Sequence, residues 1–147
     1  MCSSDQLDII AYCLNHVRSW IESFEGEGEG EFEPLRLTVT GVAGSGKSTF
    51  INTIVTAIRR LFQNENAVAV CGPTGSAAFG AGGSTCHHLF SLPMLPELGE
   101  LSAAKLKRIK QKLTKVVALI VDERSMLSSA VLAMMEHHSK VGAYCGQ

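Results

Sequence analysis

Leu7, Ile10, Cys13, Leu14, Val17 and Ile21 recur at helical spacing, which places them on one face and predicts an amphipathic helix over residues 5–23, capped by Ser4 or Asp5. The pattern then breaks. From Glu25 to Glu31 glutamate alternates with glycine, a composition that can neither pack a core nor hold a helix, so residues 25–34 read as an acidic, flexible surface loop. Residues 35–40 are a short β-rich run that ends at a glycine-rich turn. Residues 48–62 return to helical period, with Ile51, Ile54, Val55, Ile58, Leu61 and Phe62 directed inward.

Residues 67–71 read as a second strand, and the Gly, Ser, Thr and Ala of residues 72–84 as a loop with a short helix. Pro93 and Pro96 make residues 92–98 irregular. A lysine-rich helix is predicted over residues 105–115, with Leu106, Ile109 and Leu113 as its apolar stripe. The continuous apolar run of residues 116–121 suits a strand buried on both faces. A last helix is predicted over residues 125–138. Strands alternate with helices and no internal repeat is evident, so the class is α/β with a mainly parallel sheet. The chain divides into a helix (residues 1–24), the acidic loop (25–34) and an α/β body (35–147).

At 147 residues the chain is long enough for one domain with a core, and 46% hydrophobic residues argue against disorder. No apolar run approaches the ~20 residues of a membrane span, and the N-terminus lacks a basic flank followed by an apolar stretch. Those features predict no membrane partner and a cytosolic or nuclear protein. The five cysteines are Cys2, Cys13, Cys71, Cys86 and Cys145; their odd number, without any Cys-x-x-Cys pair, points to reduced, scattered thiols. The net charge of −1 changes meaning once it is located. Five of the 14 acidic residues fall between Glu25 and Glu33, which leaves nine against 13 basic residues elsewhere. The body is mildly basic, which permits a nucleic-acid partner.

The chemistry starts at Gly41-Val42-Ala43-Gly44-Ser45-Gly46-Lys47-Ser48, which fits G-x-x-x-x-G-K-[ST] at every fixed position. Glycines let the backbone turn tightly and aim its N–H groups at phosphate oxygens, and the helix that follows adds its positive dipole end. Lys47 neutralises the β and γ phosphates and the Ser48 hydroxyl ligates Mg²⁺. A β run precedes the motif and an amphipathic helix follows it, so this is a P-loop for Mg-ATP and the architecture is a three-layer P-loop NTPase. The second metal-side element is Asp122-Glu123 at the end of the apolar run, the sheet edge at which α/β proteins bind ligands. Asp122 would hold Mg²⁺ through water, and Glu123 would polarise the attacking water. A water nucleophile needs a base, and Glu123 is the evident one.

Three further stretches complete a set: Cys71-Gly72-Pro73-Thr74-Gly75-Ser76-Ala77-Ala78, Gly82-Gly83-Ser84-Thr85-Cys86-His87-His88-Leu89-Phe90, and Asp122-Glu123-Arg124-Ser125-Met126. With residues 41–49 these resemble the successive motifs of the Pif family of superfamily-one DNA helicases, with Helitron-type and RecD-like helicases as close relatives. The resemblance runs from Gln6 to Gln147. It implies a RecA-like first motor domain that binds ATP and Mg²⁺ and moves on single-stranded DNA, 5′-to-3′, in repair, recombination or telomere maintenance. It implies a nuclear or mitochondrial setting. It matches Gln6 to the glutamine that reads the adenine edge. Gly41, Gly44, Ser45, Gly46, Lys47, Ser48 and Thr49 match the nucleotide cradle, and Lys47, Asp122 and Glu123 the catalytic set. Ser48 and Asp122 match the metal side, and Thr74, Gly75, Thr85 and His87 the DNA path.

Arg124 departs from the family's usual apolar residue and looks like the Helitron-type branch. Family members also continue into a sensor strand and a second RecA-like domain that supplies arginine in cis. This chain alone is therefore expected to bind ATP better than it hydrolyses it, and not to unwind duplex. Two other readings stay open on the sequence: a small P-loop kinase of nucleotides or metabolites, and a nucleotide-binding helicase fragment of transposon origin. The paired histidines His87-His88 and His137-His138 fit no zinc spacing. Lys105, Lys107, Arg108, Lys110, Lys112 and Lys115 form either a solvated helix face or a phosphate contact.

Overall fold

The computed structural model describes residues 2–25, 33–42, 44–80, 82–93 and 101–144. Most of the acidic run, Ala43 of the P-loop and residues 94–98 of the proline-containing segment lie outside them. Two compact units are present, residues 1–58 and 59–147.

In the first unit α1 spans Ser4–Glu25 and α2 begins at Lys47, running to Phe62 across the division. The cap of α1 is Ser3, one residue earlier than expected. Its hydroxyl accepts from Gln6 N at 3.3 Å, and Gln6 Oε1 accepts from Ser3 N at 3.1 Å. This reciprocal S-x-x-Q pair satisfies two orphan N–H groups of the first turn. Ile10 and Cys13 on α1, and Phe50, Ile51, Ile54, Val55 and Ile58 on α2, are buried as their spacing requires, but Leu7 and Leu61 are exposed.

Residues 35–40 are a correction. They join no strand ladder among the described residues, and Leu37 and Val39 are 47% and 40% exposed. β-propensity measures fit to a pleated, half-buried surface, so it makes a strand only where a neighbour supplies that surface.

The second unit is built on a three-stranded parallel sheet of order β2-β1-β3, with β1 at Val68–Gly72, β2 at Ser84–Thr85 and β3 at Ala118–Val121. Helix α3 (Gly75–Gly80) follows β1, and α4 (Cys86–Phe90) follows β2 directly. α5 (Ala103–Leu113) is capped by Ser102, whose hydroxyl accepts from Lys105 N. α6 spans Ser129–Tyr144 after a 3₁₀ turn at Arg124–Met126. β1 is the central strand and buries Val68, Val70 and Cys71. Among the described residues β3 pairs with β1 alone, and Leu119 is 41% exposed; burial of both faces, expected from its apolar run, is not reached there.

The core of this unit gathers Cys71, Cys86, Leu89, Phe90, Leu92, Met134 and Met135. His138 belongs to it, with Nδ1 2.7 Å from Phe90 O. Its polarity is thus satisfied by the backbone, which is a structural role. Two glycines are obligatory here. A Cβ on Gly83 would sit 2.0 Å from Val70 O, and Gly82 stands at φ +67°. Together they let the chain pass against β1 and enter β2.

Candidate nucleotide and DNA site

The P-loop lies in the first unit. Gly44 and Gly46 adopt φ +78° and +80°, conformations that L side chains rarely take. A Cβ on Gly41 would meet Ser45 Oγ at 2.7 Å. Ser45 N donates to Val42 O at 3.2 Å and Phe50 N to Gly46 O at 2.9 Å, so the loop closes and passes at once into α2. Lys47 folds back over it, with Nζ donating to Gly41 O at 2.8 Å and Val42 O at 3.1 Å. Both are solvent-exposed bonds to carbonyls, which a charged phosphate oxygen can replace with stronger ones. Ser48 and Thr49 sit exposed in the first turn of α2. These backbone conformations and donors fit a phosphate-bearing nucleotide.

Gln6 comes to this loop from 39 residues away. Its Nε2 donates to Ser45 O at 2.8 Å, and a Cβ on Gly46 would lie 3.4 Å from the same nitrogen. The side chain therefore joins the cap of α1 to the P-loop.

The remaining predicted residues lie in the second unit. Because β1, β2 and β3 are parallel, the segments that follow them leave by the same sheet edge: Thr74-Gly75 after β1, His87 just beyond β2, and Asp122-Glu123 after β3. Thr74 Oγ1 accepts from Ala77 N at 3.2 Å and lies 3.1 Å from Ser76 Oγ. Thr85 Oγ1 accepts from His88 N at 3.1 Å. Both threonines are helix caps, for α3 and α4. Gly75 has nothing within 4 Å of its Cβ position. Gly72 is different: a Cβ there would meet Ala78 N at 3.0 Å, so small residues are needed to seat α3 on β1.

Asp122 continues the ladder, its N donating to Cys71 O at 2.9 Å. Its Oδ1 accepts from Glu123 N at 2.8 Å. Glu123 is left-handed, at φ 48° and ψ 40°, a region that costs a non-glycine residue ~1 kcal/mol or more. Its side chain is exposed, as is that of Arg124.

One pair escaped the sequence reading. Cys86 Sγ donates to Cys71 Sγ at 3.3 Å, both side chains fully buried. Burial raises the pKa of both thiols, and at Cys71 the neighbouring Cys86 adds to the rise. The contact joins residues 15 apart, which no local spacing reveals. It ties the start of α4 to the strand whose carbonyl holds Asp122.

The profile of the PIF1-like helicase family matches residues 29–141. The chain belongs to the PIF1-like helicases. The ATP-dependent DNA helicase Pif1 of Campylobacter jejuni is 31% identical over 117 residues, 74% of this chain and 26% of the relative. PIF4 of Trypanosoma brucei, also an ATP-dependent DNA helicase, is 40% identical over 96 residues, 62% of this chain and 11% of the relative. Unliganded Pif1 from a Bacteroides species superimposes with a TM-score of 0.68 at 26% identity, over 97% of this chain and 28% of that one. The PIF1-like chain thus spans about a quarter or less of these relatives. The match to solved Pif1 structures confirms the α/β class expected from alternating strands and helices and the RecA-like fold that the resemblance implied.

Proposed function

We propose that this PIF1-like chain is the first motor domain of an ATP-dependent DNA helicase, which couples ATP hydrolysis to 5′-to-3′ movement along single-stranded DNA. The observation that carries the reading is the shared sheet edge. Asp122 and Glu123, the hydrolytic pair, leave it beside Thr74, Gly75 and His87, the DNA elements. Cys71 links the two sets, through its carbonyl to Asp122 N at 2.9 Å and through its sulfur to Cys86 at 3.3 Å. Cys71 thus touches both the strand end that bears Asp122 and the start of α4. A Bacteroides Pif1 has been solved with single-stranded DNA, and its likeness to this chain supports the same ligand here.

In this reading the P-loop N–H groups and Lys47 hold the phosphates, and Gln6 meets the adenine edge. By the family resemblance Ser48 and Asp122 would each offer an oxygen to Mg²⁺, which when bound would neutralise phosphate charge. Glu123 accepts the proton of the attacking water. The relatives' greater length supports a second RecA-like domain in cis, whose arginine would contribute ~10³–10⁵ in rate. This chain by itself is then a binder of ATP with weak turnover. A nuclear or mitochondrial role in repair, recombination or telomere maintenance, and a Helitron-type affinity through Arg124, follow from the family resemblance.

The test is fluorescence anisotropy of a labelled oligo-dT strand against the chain, with and without a non-hydrolysable Mg-ATP analogue. DNA affinity that shifts with the analogue is the expected result. A folded chain that binds the analogue but no DNA would overturn the motor reading in favour of a P-loop kinase.

A further inference from the structure

A groove of about 740 Å³ lies in the second unit, lined by the first three residues of β1, by Gly82, Gly83 and the first residue of β2, and by Val116 ahead of β3. It opens where the strands begin, whereas Thr74, His87 and Asp122 stand where they end. Arg59, His88, Lys112 and Lys115 line it, against Glu65 as the one carboxylate among the described residues. Arg59 Nη1 is 3.6 Å from Glu65 Oε2, an ion pair whose acidic side chain is 88% exposed. Arg59 Nε is buried without a hydrogen-bond partner, so the guanidinium has donor capacity unspent. Lys112 Nζ donates to His88 O. Burial, and then the charge of Arg108, lower the Lys112 pKa, a cost that an anion in the groove would relieve.

Asn66, Gln111 and Thr114 add neutral hydrogen-bonding groups, and among the described residues no Phe, Tyr or Trp lines the groove. It offers phosphate contacts and no platform on which bases could stack. Outside it Arg108 and Lys105 lie one and two turns ahead of Lys112 on the same side of α5, a helix about 16 Å long. That length spans several phosphates of a polymer and exceeds what a single free anion needs.

We propose that this groove is a second nucleic-acid site, which holds the sugar-phosphate backbone of a segment other than the one on the Thr74–His87 track. The site extends the DNA-motor reading and is separable from it. A strand or duplex arm held at the opposite edge of the sheet would keep the two arms of a junction apart while the track carries one of them.

The experiment compares the parent chain with Arg59→Gln/Lys115→Gln, which keeps the Lys112 bond to His88, and with the triple variant that adds Lys112→Gln. Each is titrated across a salt series with a short oligo-dT and with a forked DNA bearing a duplex arm, after a thermal melt confirms folding. Fork affinity should fall about tenfold at 0.1 M salt in the triple variant, and the salt slope should shrink by about two phosphates' worth, while oligo-dT binding stays within about twofold. Unchanged fork affinity and slope in folded variants would overturn the second site. Equal losses for both substrates would overturn its separateness, since the groove would then be part of the track. Oligo-glutamate binding that is lost in the variants, with fork binding intact, would assign the groove to an acidic peptide instead. If the parent binds no oligo-dT but the variants still lose fork binding, the motor reading falls and the groove stands; if the parent binds neither DNA, both fall.

Discussion

The side-chain amide of Gln6 donates to the main-chain carbonyl of Ser45 at 2.8 Å, while its Oε1 accepts from Ser3 N at 3.1 Å. One residue therefore caps α1 and braces the phosphate loop. The two jobs are separable by substitution. Gln6→Glu keeps the acceptor for Ser3 N but loses the donor to Ser45, whereas Gln6→Ala loses both. Gln6→Ala should lower stability by ~1 kcal/mol, the worth of a cap, and Gln6→Glu by less. Both should weaken binding of an ATP analogue, measured by calorimetry beside a thermal melt. Equal melting temperatures for the two variants would refute the capping role.

Lys47→Ala removes an exposed side chain whose bonds run to Gly41 O and Val42 O. The fold should be nearly indifferent to it, with a change within about 0.5 kcal/mol. Affinity for the nucleotide should fall tenfold or more, since charge-assisted bonds contribute ~1.5–3 kcal/mol. A titration of fluorescent ATP analogue reads this directly, and undiminished affinity would remove Lys47 from the phosphate site.

Gly83 and Gly75 make opposite predictions. A Cβ on Gly83 would lie 2.0 Å from Val70 O, and one on Gly75 would touch nothing. Gly83→Ala should cost ~3 kcal/mol or more, through backbone overlap at the β1–β2 pair. Gly75→Ala should be neutral or stabilising by ~0.5–1 kcal/mol, because it stiffens the unfolded chain and favours α3. If DNA approaches this backbone closely, Gly75→Ala will also weaken oligo-dT binding without loss of stability. Urea denaturation of the two variants decides the stability arm.

Glu123 sits at φ 48°, so its backbone strain and its chemistry can be traded. Glu123→Gly should stabilise the chain by up to ~1 kcal/mol by releasing the left-handed strain, and should abolish whatever ATP turnover the parent has. A fall in melting temperature would show that the position is not strained.

The thiols of Cys13, Cys71 and Cys86 are pushed above their ordinary pKa, by burial first. The folded state then keeps protons that the unfolded chain releases above about pH 8.5. Stability is full below that value and declines as pH rises, by up to ~1.4 kcal/mol per pH unit for each thiol. Lys112, with its pKa lowered, works in the other direction by at most one proton. Cys71→Ala/Cys86→Ala should flatten the alkaline slope in denaturation series between pH 8 and 10, whatever it does to absolute stability. A slope unchanged by the pair would place the titration elsewhere.

Much of this protein is written locally. The P-loop, the helical stripes of α1, α2 and α5, and the family motifs rest on residues close together in sequence, and backbone propensity, period and capping act over that range. Even the Ser3–Gln6 cap is a local S-x-x-Q pair, one residue ahead of the cap at Ser4 or Asp5 that the helical period predicts.

Tertiary structure decided what depends on a neighbour. Strand propensity at residues 35–40 met no partner among the described residues, while Val68–Gly72 found one on each side, because a ladder needs a second backbone to accept and donate. Parallel pairing brought Thr74, His87 and Asp122 to one edge and left Arg59, Lys112 and Lys115 beside a groove at the other. The Cys71–Cys86 contact and the Gln6–Ser45 bond join residues 15 and 39 apart. Spacing along a chain sets which side chains share a helix face or a strand, but only packing sets which faces meet.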